Sequence, residues 1–369
     1  MREGKKTFFQ RNFYIKLIAA IALFSYLFFY MPTPYVVYQP GKAMLIRPMV
    51  EVSSQDNDEE GSIYLTTVSM SYPYANVYKT LRSFLSPHMD LAKRKDVFGD
   101  ESTEEYSERQ SYVMRTSQSN AIQAVYNELG IPYEVKTQSI SVLSTMPGTS
   151  AEKLLRPGDQ ILEIDERIIH EPDDMLQYIA EKQVGEEVEV KFLREGKERS
   201  ASIRLTDISA HESSQGEEKP RPGIGIYLAI VETVAAEREE DQVNLVVENI
   251  GGPSAGLMFA LEIYDLLTAG DLTKGYRIAG TGTITVDGKV GVIGGVDYKV
   301  VGAHRQKADI FFTPHDLYPK DGQSFQPILN YTIAKEKAKQ LNTDMKIIPV
   351  DTLQEAIQYL KSLPPKQAG

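Results

Sequence analysis

Cysteine is absent from all 369 residues. That excludes disulfide scaffolds, thiol nucleophiles, zinc fingers and iron–sulfur clusters. Histidine is scarce. The five present, His88, His170, His211, His304 and His315, make no H-E-x-x-H pattern, so no metal site is expected. A phosphate-cradling G-x-x-x-x-G-K-[ST] loop is missing as well. The nearest stretch, Gly282-TITVDGKV, has five residues between its glycines and ends in Val290. It reads as a hairpin turning at Asp287-Gly288, so neither ATP nor any other cofactor is expected. Positive charge is in deficit: the net charge of −11 argues against a nucleic-acid partner. What remains, 42% hydrophobic and 25% charged residues, is the balance of a folded chain of two or three domains.

The charge is unevenly placed. Residues 1–16 hold Arg2, Lys5, Lys6, Arg11 and Lys16 against Glu3, so they carry +4 and the rest of the chain −15. Residues 1–12 form a basic N-terminus. Residues 13–31, FYIKLIAAIALFSYLFFYM, are apolar except for Lys16 and Ser25. Nineteen helical residues rise about 28 Å, close to the hydrocarbon thickness of a bilayer. Lys16 can snorkel to head groups, Tyr26, Phe28, Phe29 and Tyr30 suit an interface, and Pro32 and Pro34 stop the helix. Basic residues before the span place the N-terminus in the cytoplasm and the body outside. A signal peptide is the competing reading, but no small-x-small site follows the apolar core. The expectation is a single-pass transmembrane helix in the cell membrane.

The body divides by pattern into three pieces. Residues 35–120 mix short strands with helices, the polar run Ser53–Gly61 reading as a loop. Residues 75–130 read as mostly helical, with a break at Asp100–Ser107 and an apolar face of Ala121, Ile122, Val125 and Leu129 ending at Gly130. Residues 121–206 turn to strand, turn, helix and strand. Residues 207–221 are polar and turn-rich, a linker. A third domain over 222–363 alternates strands with helices, an α/β (α+β) reading.

Within 121–206, Met146-PGTSAEKLLRPGDQILEIDERII resembles the PDZ domain in its bacterial, protease-associated form. The resemblance implies an α+β domain that binds an extended peptide by strand addition. Leu129-Gly130-Ile131 matches the family's peptide-binding loop, and reads equally as a helix C-cap at Gly130.

In the third domain Gly251, Gly252 and Pro253 lead into an apolar helix with Ser254 at its start and Ala255 beside it. A helix start offers unpaired N–H groups and partial positive charge. A serine there is either an N-cap or a nucleophile whose neighbouring amides stabilise an oxyanion. The pentapeptide G-P-S-A-G occurs by chance in roughly one chain of this length in a thousand or fewer. A serine nucleophile needs a base, and Lys299 stands near the start of a helix entered through Gly294-Gly295. Burial would lower its pKa until the neutral amine accepts a proton. Lysine chemistry alone does not choose it over Lys289 or Lys307.

These lines resemble the proteolytic domain of the Lon family. The order T-G-x-I-T, G-x-V, I-G-G-x-x-x-K stands here as Thr281–Thr285, Gly288–Val290 and Ile293–Lys299. The resemblance implies that Ser254 is the nucleophile, Lys299 the general base, and Thr281 the hydroxyl that supports this dyad. Two positions depart from it. The acidic residue usual three positions before the serine is Gly251, and the glutamate usual after T-G is Thr283.

Anchor, PDZ-like domain and Lon-like domain together resemble the YlbL/SepM group of bacterial membrane-anchored serine proteases. That implies an ATP-independent endopeptidase of a Gram-positive-type bacterium. It would cleave secreted peptides, such as peptide pheromones, or small membrane proteins, with the PDZ-like domain docking substrate. The alternative is a catalytically inert, membrane-anchored peptide-binding adaptor. Retention of both Ser254 and Lys299 in their motifs argues against it. The oligomeric state stays open.

Overall fold

The computed structural model describes residues 3–53, 60–209, 220–247, 250–319 and 326–367. Most of the expected loop at 53–61 and of the linker at 207–221 lies outside the described residues. The chain divides into two units, residues 1–42 with 67–101, and residues 43–66 with 102–369.

In the smaller unit, helix α1 (Glu3–Tyr30) begins before the apolar run and stops ahead of Pro32. Its stretch Phe13–Tyr30 is long and apolar enough to cross a membrane, and none of it is buried by the rest of the protein. Residues Tyr35–Tyr38 pair antiparallel with the strand Asp90–Lys93. That strand separates α2 (Val77–Ser83), capped by the Asn76 side chain, from α3 (Arg94–Phe98). Residues 75–130 are thus mostly helical, as expected, with this short strand between the first two helices.

After residues 43–66 the larger unit resumes with α4 (Thr103–Leu129), started by a reciprocal Ser102–Glu105 capping box and ended by Gly130 in the left-handed region. The helix thus starts inside the expected break at Asp100–Ser107. An antiparallel sheet follows, with spatial order Ile226–Ala236, Tyr133–Thr145, Gln160–Ile164, Glu187–Arg194, Lys197–Arg204. Helices α5 (Ala151–Leu154) and α6 (Pro172–Ala180) complete this region. The buried Asp159 of the Arg156-Pro-Gly-Asp turn holds the Arg194 guanidinium through two bonds of 2.6 and 2.7 Å.

The strand Ile226–Ala236 corrects the expected boundary at residue 222. It pairs along its whole length with Tyr133–Thr145, from Ile226 opposite Thr145 to Ala236 opposite Tyr133. At one end of this ladder Ile140, Val142 and Ile226 join the core beneath the antiparallel sheet. At the other end Tyr133, Val234 and Ala236 join a second core, built around α7 (Gly256–Leu267).

That second core is covered by a parallel arrangement of Lys346–Val350, Ile310–Pro314, Arg277–Gly280 and Ser62–Leu65. Helices α8 (Val296–Arg305), α9 (Asn330–Gln340) and α10 (Leu353–Ser362) complete it. Residues 43–66 and α4 belong here too, although the sequence pattern groups them with an N-terminal piece at 35–120. Parallel pairing of Ser62–Leu65 with Arg277–Gly280, and packing of α4 on α7, join segments more than a hundred residues apart. The strand expected over 277–286 breaks after Gly280, because Thr281 and Gly282 turn their amides to the Phe312 and Ser254 carbonyls.

Candidate active site

Helix α7 begins at Gly256, two residues later than the sequence suggests. Ser254 and Ala255 form a turn before it, and no side chain caps the helix. The serine hydroxyl is therefore not spent as an N-cap. Gly252 makes the approach: its φ of +88° is one that glycine adopts without strain. Its N–H donates to the Gln110 carbonyl of α4 at 3.0 Å. The Ser117 hydroxyl of α4 donates to the Pro253 carbonyl at 2.8 Å. On the other side the Ser254 carbonyl accepts from Gly282 N–H and from the Thr281 hydroxyl, both at 2.9 Å. The loop before the helix is thus tied at Gly252, Pro253 and Ser254.

Lys299 reaches the same point from α8. Gly295, left-handed at φ +64°, turns the chain into that helix and places Lys299 in its first turn. Asn330 holds the approach through both backbone groups of one residue, accepting from Ile293 N–H at 3.0 Å and donating to Ile293 C=O at 2.8 Å. Lys299 Nζ lies 2.5 Å from Ser254 Oγ and 2.8 Å from Thr281 Oγ1. Lys299 is 3% exposed and Thr281 fully buried, whereas Ser254 is only half-buried. Burial is the cause that lowers the lysine pKa from 10.5 to about 7.

Burial also separates the three lysines that the sequence leaves equivalent. Lys289 is exposed and paired with Asp287 at 2.6 Å, which raises its pKa. Lys307 is exposed, past the end of α8. Only Lys299 of the three is buried.

Thr281 sets the direction of the lone pair. Its hydroxyl proton is committed to the Ser254 carbonyl, so it can only accept from Lys299. With one N–H of the amine so engaged, the nitrogen lone pair can turn to the Ser254 O–H. Among the loop amides, that of Gly252 is taken by Gln110 and Pro253 has none. Ser254 and Ala255 can offer theirs to an oxyanion, and Gly251 and Gly252 form the turn that leads to them.

The two departures from the family pattern lie on either side of this loop. A side chain at Gly251 would place its Cβ 2.8 Å from the Gln110 Cβ. The close approach of α4 therefore leaves no room for the usual acidic residue. Thr283 sits in the two-residue strand Thr283–Ile284, with its hydroxyl packed against Gly291. The tripeptide Leu129-Gly130-Ile131 proves to be the helix C-cap. The Gly130 and Ile131 amides bond to the Asn127 and Tyr126 carbonyls and so make no nest for a carboxylate. Gln110, Ser117 and Asn330 carry no motif that marks them in the sequence.

Residues 127–205 match the PDZ domain family, and residues 246–361 match the Lon protease (S16) C-terminal proteolytic domain. The Lon protease of Campylobacter concisus is 33% identical over 107 residues, which are 29% of this chain and 12% of that protein. That of Mesomycoplasma hyopneumoniae is 31% identical over 109 residues, 30% of this chain and 11% of that protein. The chain thus spans about a tenth of the length of the curated relatives it matches. The crystal structure of the PDZ domain of an SdrC-like protein from Listeria monocytogenes is 32% identical. It covers 26% of this chain and 92% of its own, with a TM-score of 0.22. The chain therefore combines a PDZ domain at residues 127–205 with a Lon-type serine-peptidase domain at residues 246–361.

Proposed function

We propose that the chain is an ATP-independent serine endopeptidase with Ser254 as nucleophile and Lys299 as general base. It is anchored by α1 with its body outside the cytoplasm. The contact of a half-buried serine with a desolvated lysine, 2.5 Å from Nζ to Oγ, carries this reading. Neutral Lys299 takes the Ser254 proton as Oγ attacks a peptide carbonyl, and the Ser254 and Ala255 amides receive the oxyanion. The ammonium returns the proton to the leaving amine as the peptide bond breaks, which leaves an acyl-enzyme. Water then gives a proton to Lys299 and attacks the ester; the proton returns to Ser254 as the new carboxyl end departs.

The substrates that fit are short or extended chains, namely secreted peptides such as pheromones, or small membrane proteins. No phosphate-binding loop in this chain supports ATP-driven unfolding. The PDZ domain docks them. Residues 133–139 of its long strand pair with Glu232–Ala236 and neighbouring residues along one edge, while on the other edge pairing runs only through Ser141 and Val142, which meet Gly158, Asp159 and Gln160. Beside that open edge Thr137 is bonded to Glu171 at the start of α6, and strand addition there needs no Leu129–Ile131 nest.

The test incubates the full-length protein, without nucleotide, with a diverse pool of unstructured peptides and reads the new termini by mass spectrometry. Cuts made by wild type and lost in both Ser254→Ala and Lys299→Ala support the dyad. Cuts that persist in Ser254→Ala refute it, and binding without cutting favours the inert adaptor.

A further inference from the structure

The smaller unit carries an apolar face that α1 brings to one level. Tyr78 of α2 packs its ring on Phe28 and Phe29, at centroid distances of 5.8 and 5.4 Å. Asn76 Nδ2 donates to the Phe29 carbonyl at 2.5 Å, Val77 N–H to the Met31 carbonyl at 3.3 Å, and the Thr33 and Thr80 hydroxyls lie 2.9 Å apart. The start of α2 is therefore fixed to the last turn of α1. Thr80 and Ser83 face inward, Ser83 being buried. Leu81, Phe84 and Leu85 face outward, 50%, 71% and 87% exposed. With Tyr78 they fall at helical spacing on one side, i, i+3, i+6 and i+7.

Such a cluster is costly in water, and nothing among the described residues covers it. Its surroundings are cationic. Residues 77–89, which carry the cluster, hold Lys79 and Arg82 and no carboxylate, in a chain of net charge −11. The Arg94 N–H donates to the carbonyl of Pro34, just past the end of α1, so the start of α3 stands at the same exit. The depth of the cluster follows from α1. If Phe13–Tyr30 fills the hydrocarbon layer, Phe28 and Phe29 stand at its outer boundary, and Tyr78 stands with them. Leu85 is seven residues on, in the turn just past α2, at a helical rise about 10 Å away. Interfacial helices bury apolar faces within a similar depth of about 5–10 Å.

We infer that Leu81, Phe84 and Leu85, rimmed by Lys79 and Arg82, dock into the outer head-group layer of an anionic bilayer. This gives the protein a second, peripheral membrane contact beside its anchor. It rests on the reading of α1 as a membrane span. The contact fixes the small unit against the lipid surface, where a single helix alone would leave it free to swing.

The absence of cysteine makes the test clean. Single-cysteine variants Leu85→Cys, Ile21→Cys and Arg199→Cys of the full-length protein are labelled with an environment-sensitive fluorophore. They are then reconstituted into phosphatidylglycerol–phosphatidylcholine vesicles. Lipids spin-labelled near the glycerol or deep in the acyl chain act as quenchers. The Leu85 label should lose emission to the shallow quencher, the Ile21 label to the deep one, and the exposed Arg199 label to neither. A Leu85 label as insensitive as Arg199, beside a quenched Ile21, overturns the docking and leaves the span standing. Insensitivity at both Ile21 and Leu85 removes the span and the docking together. A Leu85 label shielded from aqueous iodide, untouched by lipid quenchers and dependent on protein density, assigns the face to a second copy and overturns the proposal.

Discussion

Replacing Lys299 by methionine should abolish peptide cleavage and stabilise the fold, with a pH dependence of known sign. The unfolded chain holds the lysine proton up to pH 10.5, the folded chain only to about 7. Between those values the unfolded state binds more protons, so wild-type stability rises with pH by about 1.4 kcal/mol per unit. Below pH 7 both states are protonated and the penalty stands in full, about 5 kcal/mol for a group this buried. Methionine fits a similar volume and has no charge to desolvate. It forfeits the contacts to Ser254 Oγ and Thr281 Oγ1, worth about 1–2 kcal/mol together. Ser254 still reaches water, and Thr281 keeps its bond to the Ser254 carbonyl. Lys299→Met should therefore exceed wild type by about 3–4 kcal/mol at about pH 6, and the gain should vanish at about pH 9–10. Urea unfolding of both proteins across that range, followed by hydrogen exchange of α7 and α8 amides, measures it. A variant less stable than wild type at about pH 6, or a difference that ignores pH, would refute the desolvation argument.

Wild-type kcat/KM for an unstructured peptide should rise through about pH 7 and level off above it, because only the neutral amine takes the serine proton; a profile flat across that pH would remove Lys299 as base. Thr281→Val should lower kcat about a hundredfold with KM little changed, while Thr281→Ser keeps most activity. Ser117→Ala frees the Pro253 carbonyl from α4 and should cost about 1 kcal/mol of stability, with a drop in kcat that a purely surface change would not give. Gly251→Asp should destabilise by about 1–3 kcal/mol through its clash with Gln110. A double-mutant cycle with Gln110→Gly should show that part of this loss is coupled to that one contact.

What the sequence makes legible and what it hides divide along contact range. Ser254 and Lys299 are found because each sits in a short run whose glycines and order are distinctive, and both α7 and α8 follow closely from their apolar spacing. Which lysine is buried is not local information. Lys289, Lys299 and Lys307 differ only in what the fold packs around them, and the choice appears once α8 lies against the 277–280 and 310–314 strands. The place of the strand 226–236 is hidden for the same reason. The strand 226–236 is a nearly continuous apolar run, and nothing in its own residues reveals that its partner is 133–145, about ninety residues earlier.

The catalytic loop shows how such distant contacts explain a local oddity. Read along the chain, Gly251 looks like the loss of an acidic residue that the family places before its serine. Read across space, it is a fit. Gln110 presents its carbonyl to Gly252 and its Cβ to Gly251, and Ser117, two turns further along α4, ties down Pro253. A helix that contacts three consecutive backbone positions beside a nucleophile needs one of them bare, and only glycine provides that. The carboxylate is thus exchanged for a helix held against the loop. The orientation of Ser254 then depends on α4 and on Thr281 together, so separate losses at Ser117 and Thr281 should exceed in sum the loss in the double variant if both act by placing one hydroxyl.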